Sequence, residues 1–104
     1  MNKTFSVLFI LRKPKNFVKG EMPVYMRLTI DGARTEFATK RKVDPKIWNY
    51  ESGRVKGKTE EGKALNHYFD LLQSKVFQAE QDLLKAGQPA TISTISDKLQ
   101  NVVT

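Results

Sequence analysis

Asp31-Gly32 separates two runs in which apolar and polar residues alternate, VYMRLTI (24–30) and ARTEFAT (33–39). An Asp-Gly pair between such runs signals a two-residue β-hairpin, because both residues tolerate the positive φ of a type I′ turn. A turn of that length fixes the register. It pairs Ile30 with Ala33, Thr29 with Arg34, Leu28 with Thr35, Arg27 with Glu36, Met26 with Phe37 and Tyr25 with Ala38. Successive side chains point to opposite faces of a strand. One face therefore collects Val24, Met26, Leu28, Ile30 and Phe37 and has to be covered. The other collects Tyr25, Arg27, Thr29, Arg34 and Glu36.

What covers the hairpin is legible further along the chain. Leu65, Tyr68, Phe69, Leu72, Val76, Ala79 and Leu83 recur at three- and four-residue steps, the spacing of one helical face. Thr59 is placed to cap this helix, Glu60 and Glu61 suit its positive end, and Gly87 with Pro89 stops it. Before the hairpin, TFSVLFILRK (4–13) is rich in β-branched and aromatic residues and predicts a first strand. VDPKIWN (43–49) predicts a single helical turn with Asp44 as cap and Pro45 at its first position, whereas 13–23 and 50–58 are expected to be loops. Ile92, Ile95, Leu99 and Val102 are in phase for a short helix after Thr91.

The expected fold is α+β: a three-stranded antiparallel sheet packed on one long C-terminal helix, with a short extra helix at the C-terminal end. Strands are expected at about 4–12, 23–30 and 33–40 and the long helix at about 59–86. Residues 1–88 form the main domain in this reading, and 89–104 a short helix or linker. A second apolar edge on the long helix, Leu71, Phe77 and Leu84, suggests a helix sandwiched between the sheet and the C-terminal helix.

Composition narrows the function. The chain has no cysteine, which removes disulfides, Cys-ligated zinc and thiol chemistry and suits a reducing cytoplasm. Its longest apolar run, Val7 to Leu11, is far too short to span a bilayer, so no membrane partner is expected. Charge is polarised. Residues 1–58 hold 14 Lys and Arg against 5 Asp and Glu, a balance of +9, and residues 59–104 hold 4 against 6, a balance of −2, which together give the net +7. A basic half of this kind points to a polyanionic partner or to a solvated, Lys-rich surface.

The outward hairpin face sharpens that choice. A two- or three-stranded ribbon fits the major groove of B-DNA, where arginine pairs with guanine edges and hydroxyls reach bases or phosphates. Tyr25, Arg27, Thr29, Arg34 and Glu36 would meet bases there. Arg12, Lys13, Lys15, Lys40, Arg41 and Lys42 would lie near phosphates. The same face is equally what a solvated sheet with an Arg27–Glu36 cross-strand ion pair presents.

The run YMRLTIDGARTEFATKRKVDPKIWN, followed by GRVKG and a helix opening at TEEGKALNHYFDLL, resembles the N-terminal segment of phage-type tyrosine recombinases from Bacteroidetes mobile elements. Tyr25, Arg27, Thr29, Asp31, Gly32, Glu36, Phe37, Pro45, Trp48, Gly53, Val55 and Gly57 match the family's order and spacing. The resemblance covers essentially the whole chain. It implies an arm-type DNA-binding domain, with the sheet in the major groove of accessory sites flanking the crossover site and serving DNA integration or recombination. It also implies double-stranded DNA and the recombinase's own core-binding and catalytic domains as partners.

Such recombinases cleave DNA with a tyrosine and an Arg/Lys/His/Arg constellation in a further domain. Tyr25, Tyr50 and Tyr68 stand without an H-x-x-R run, and His67 is the single histidine. Asp31 is a turn residue, Asp44 a cap, and Glu60 and Glu61 begin a helix, so neither catalytic nor metal-binding residues nor a cofactor are expected. The chain reads as an isolated, non-catalytic, monomeric N-terminal domain. The alternatives are an RNA-binding module, for which the face offers mainly Tyr25 to stack bases, and a protein-interaction module acting through the long helix.

Overall fold

The computed structural model describes residues 5–103. Strands β1 (Phe5–Leu11), β2 (Met22–Ile30) and β3 (Ala33–Val43) form an antiparallel sheet with β2 in the centre. A 3-10 turn (Pro45–Ile47) leads into a small hairpin, β4 (Trp48–Asn49) and β5 (Arg54–Val55). Helices α1 (Glu60–Lys85) and α2 (Ile92–Val103) complete the chain. This is the expected α+β architecture; Thr4, expected to open β1, and the side chain of Val102 lie outside the described residues.

The β2–β3 register is the one that the Asp-Gly turn dictates, from Ile30 opposite Ala33 to Tyr25 opposite Ala38. Asp31 (φ 50°) and Gly32 (φ 86°) both take the positive φ of that turn. Beyond Ala38 the strands fall out of step. Between Tyr25 and Pro23 β2 advances two residues, while β3 advances four, from Ala38 to Lys42. β3 thus bulges and runs on to Val43, three residues past the expected end, with Lys40 at the apex in a left-handed conformation (φ 64°). Thr39 stitches the bulge: its buried Oγ1 donates to the Val24 carbonyl at 2.8 Å and accepts from the Arg41 amide at 3.2 Å.

The core lies between the inner sheet face and the helices. Phe9, Val24, Met26, Leu28 and Ile30 are buried against Phe69, Leu72, Val76 and Leu83, with Trp48 closing one end. Phe69 is the hub, its ring centroid 5.0 Å from Phe9 and 6.0 Å from Trp48 in an edge-on contact. Phe37, Leu65 and Tyr68 pack on this cluster half-buried.

Two expectations are corrected. Residues 50–58 are not all loop, because Asn49 and Trp48 pair with Arg54 and Val55. Two-residue strands are stabilised from outside: the Asn66 amide on α1 accepts from Val55 N at 2.8 Å and donates to Val55 O at 3.0 Å, as a neighbouring strand would. Nor is α1 sandwiched. Helix α2 packs on β2 and β3 as well as on α1, burying Ile95 and Leu99 in the same core, where Ala90, just before the helix, is also buried. It therefore leaves Leu71, Phe77 and Leu84 47%, 40% and 53% exposed.

Local chemistry sets the helix ends. Thr59 Oγ1 accepts from Gly62 N at 3.1 Å at the start of α1, and Gln88 N returns to the Leu83 carbonyl at 2.9 Å past its end. Asp44 caps the 3-10 turn through Lys46 N at 2.9 Å.

Candidate nucleic-acid interface

Every residue of the outer sheet face is placed by the pairing of the three strands. Ser6, Thr29 and Arg34 form one row, Leu8, Arg27 and Glu36 the next, and Ile10, Tyr25 and Ala38 the third. Arg12 N donates to the Pro23 carbonyl at 3.0 Å, which continues the register by one row, and Lys42 flanks Pro23 on the other side. An antiparallel ladder holds all of these positions on one rigid surface.

Glu36 organises the charged part of this surface. Its Oε2 accepts from Arg27 Nε at 3.0 Å. Its Oε1 takes Arg12 twice, from Nε at 2.7 Å and Nη2 at 2.6 Å. Arg12 comes from two rows away, just past the end of β1, passing over the Tyr25 ring with its guanidinium carbon 5.5 Å from the centroid. A half-buried carboxylate between two arginines fixes the direction of both guanidiniums. Arg27 engages only Nε in the pair, which leaves its two Nη groups for another acceptor.

The remaining cations are spread more widely. Arg34 is exposed at the turn end of the face, next to half-buried Thr29. Lys13 and Lys15 are exposed in the segment between β1 and β2. Lys40, Arg41 and Lys42 are exposed at the far end of β3, where the strand bulges. Arg41 is delivered to the helix side, where its guanidinium carbon sits 4.2 Å from the Tyr68 ring centroid, and Tyr68 Oη donates to the Thr39 carbonyl at 3.5 Å. The three cations line a cavity of about 420 Å³ with Tyr68, and Glu21 and Glu61 on its walls offset part of their charge. Arg54, another cation of the basic half, is tied to Asp70 at 2.8 Å and lies over the Phe9 ring, away from the outer face.

Sequence reasoning overlooked the β1 side of this surface, Ser6, Leu8 and Ile10. The run from Val7 to Leu11 is apolar throughout and hides which residues face outward; Ser6 is the only mark of the alternation. Among the described residues no group of three His, Cys, Asp or Glu side chains could hold a metal ion, and His67 is exposed on α1. No described helix is long and apolar enough to cross a membrane.

A three-stranded sheet with an arginine-bearing outer face and a helix behind it is what a DNA-binding ribbon requires. Comparison with known proteins agrees. The family model described as the arm DNA-binding domain matches residues 9–96, a span from β1 into α2. No curated protein and no solved structure matches the chain. With most of its length covered by that match, the chain belongs to the arm DNA-binding domain family.

Proposed function

We propose that the outer face of the β1–β2–β3 sheet enters the major groove of double-stranded DNA at arm-type sites, as the N-terminal recognition module of a site-specific tyrosine recombinase or integrase. The observation that carries this reading is the Arg12–Glu36–Arg27 cluster. Two guanidiniums are anchored on one carboxylate in the middle of a rigid, outward ladder. A surface serving solubility alone needs no such anchoring, whereas a base reader must hold its donors within a narrow range of directions. Tyr25, Thr29 and Arg34 share the face, and Lys13, Lys15, Lys40 and Lys42 supply cations around it, with Arg41 turned to the helix side.

In this reading residues 1–88 carry recognition, and the segment 89–104 leads toward core-binding and catalytic domains, which perform the strand chemistry. The domain acts as a monomer, and tethering multiplies its contribution to the assembled enzyme. The test is a salt titration with duplex DNA and duplex RNA in parallel. Binding to DNA that weakens steeply with salt, with RNA bound more weakly, supports the proposal. Binding that ignores salt, or a preference for duplex RNA, overturns it.

A second reading has its own observation. Phe77 and Leu84 lie two helical turns apart on α1 and are 40% and 53% exposed, as an interaction module would have them. The same titration separates the two, since an interaction module shows no salt-dependent duplex binding.

A further inference from the structure

We infer that Leu8 is a specificity-determining residue of the outer face and takes the C5 methyl group of a thymine within two base pairs of a guanine read by Arg27. The inference rests on the reading of this face as a major-groove surface. Leu8 lies directly opposite Arg27 in the β1–β2 register. It points away from the core that Phe9, Met26 and Leu28 fill, and it is 37% exposed. The open face of an antiparallel sheet is ordinarily polar, and Leu8 sets a large apolar side chain in the same row as the Arg27–Glu36 pair, outside the core cluster.

Leu8 is also held in place. Gly53, in the turn between β4 and β5, lies so close that a Cβ built on it would be 3.4 Å from Leu8 Cδ1. The side chain is thus seated on one flank and open toward the face. Ile10, the other large aliphatic residue of the outer row on β1, is less exposed.

The chemistry of the groove supplies a matching ligand. Guanine offers O6 and N7 to a bidentate arginine, and thymine is the base that presents a methyl group on the major-groove edge. Arg27 keeps both Nη groups free of its ion pair with Glu36. Cross-strand neighbours on one face stand about 5 Å apart, and successive bases rise about 3.4 Å. Adjacent columns of the sheet therefore address bases one or two steps apart. Leu8 and Arg27 together form a composite reader, apolar contact beside paired hydrogen bonds.

Removing a methyl from the DNA tests this without disturbing the protein. A preferred duplex is first selected from a randomised pool with the intact chain. Wild type and Leu8→Ala are then titrated against that duplex and against versions in which each thymine in turn is replaced by deoxyuridine. One replacement should weaken wild-type binding about fourfold, the worth of one buried methyl. The same replacement should leave Leu8→Ala unaffected, and it should lie within two base pairs of a guanine whose substitution Arg27→Ala no longer senses. If the wild type retains a preferred, salt-sensitive duplex but no uracil replacement changes its affinity, the inference is overturned while the DNA-binding reading stands. Full methyl dependence in Leu8→Ala overturns it in the same way. Failure to select any duplex overturns both.

Discussion

Arg27 and Glu36 face each other across β2 and β3, and the arginine Nε donates to Glu36 Oε2 at 3.0 Å. A half-buried cross-strand pair of this kind contributes at most about 1 kcal/mol to stability. Its effect is directional, and it leads to the first prediction. Arg27→Ala should cost about 1–3 kcal/mol on the preferred duplex and much less on a scrambled one. Glu36→Ala should do something different. Loss of the carboxylate removes repulsion toward phosphates, so scrambled DNA should bind more tightly, while loss of both anchors narrows the gap to the preferred site. Paired titrations at one fixed salt read both effects. Equal losses on the two duplexes for Arg27→Ala would reduce that residue to a phosphate contact.

The second prediction concerns the cations that surround the face. Log K should fall with log salt at a slope of roughly −0.9 for each phosphate neutralised, with about four to six such contacts. Lys40→Gln with Lys42→Gln should weaken preferred and scrambled duplexes by the same factor and flatten the slope. Glutamine is chosen because Lys40 occupies a left-handed conformation, and the replacement changes charge without changing the backbone preference much. An unchanged slope in the double variant would remove both lysines from the contact set.

A third prediction separates the core from its margin. Phe69 is fully buried and meets both Phe9 and Trp48, so Phe69→Ala should cost about 3–5 kcal/mol. Phe37 is only half-buried on an edge strand, so Phe37→Ala should cost clearly less. Urea unfolding midpoints measured side by side check the order, and equal losses would show the edge to be packed as tightly as the centre.

The fourth prediction follows from Asn66, whose side chain satisfies both backbone groups of Val55. Asn66→Ala leaves that amide and carbonyl without their partner, at a cost of about 1–3 kcal/mol. Hydrogen exchange should show faster exchange of the Val55 amide in the variant than in the wild type. Unaltered exchange would mean the β4–β5 hairpin stands without α1.

How much of this could be read in the chain differs from element to element, for physical reasons. Asp31-Gly32 prescribes its own register, and so the pairing of Arg27 with Glu36 followed from the sequence alone. The face of α1 followed from 3.6-residue periodicity, down to Phe69, Leu72 and Val76. The bulge at Lys40 carries no such mark, because the residue at positive φ is neither glycine nor asparagine. The placement of Arg41 over Tyr68 was therefore invisible. Arg12 presented another difficulty. Its partner Glu36 is 24 residues away, and only the third strand, beside β2, brings them together. The hairpin at Trp48–Val55 was hidden because its support comes from a side chain on α1.

Gly53 has a consequence beyond the hairpin it closes. It lies against the main chain of β1, so close that a Cβ there would be 2.9 Å from the Phe9 carbonyl oxygen. Outer strands of a sheet offer open backbone groups on which a second chain can extend the ladder. At β1 that approach is obstructed by the turn. At β3, the opposite margin, Arg34, Lys40, Arg41 and Lys42 give identical copies a shared positive charge. One margin is covered by bulk and the other carries positive charge, two of the features by which sheet edges resist extension by a second chain.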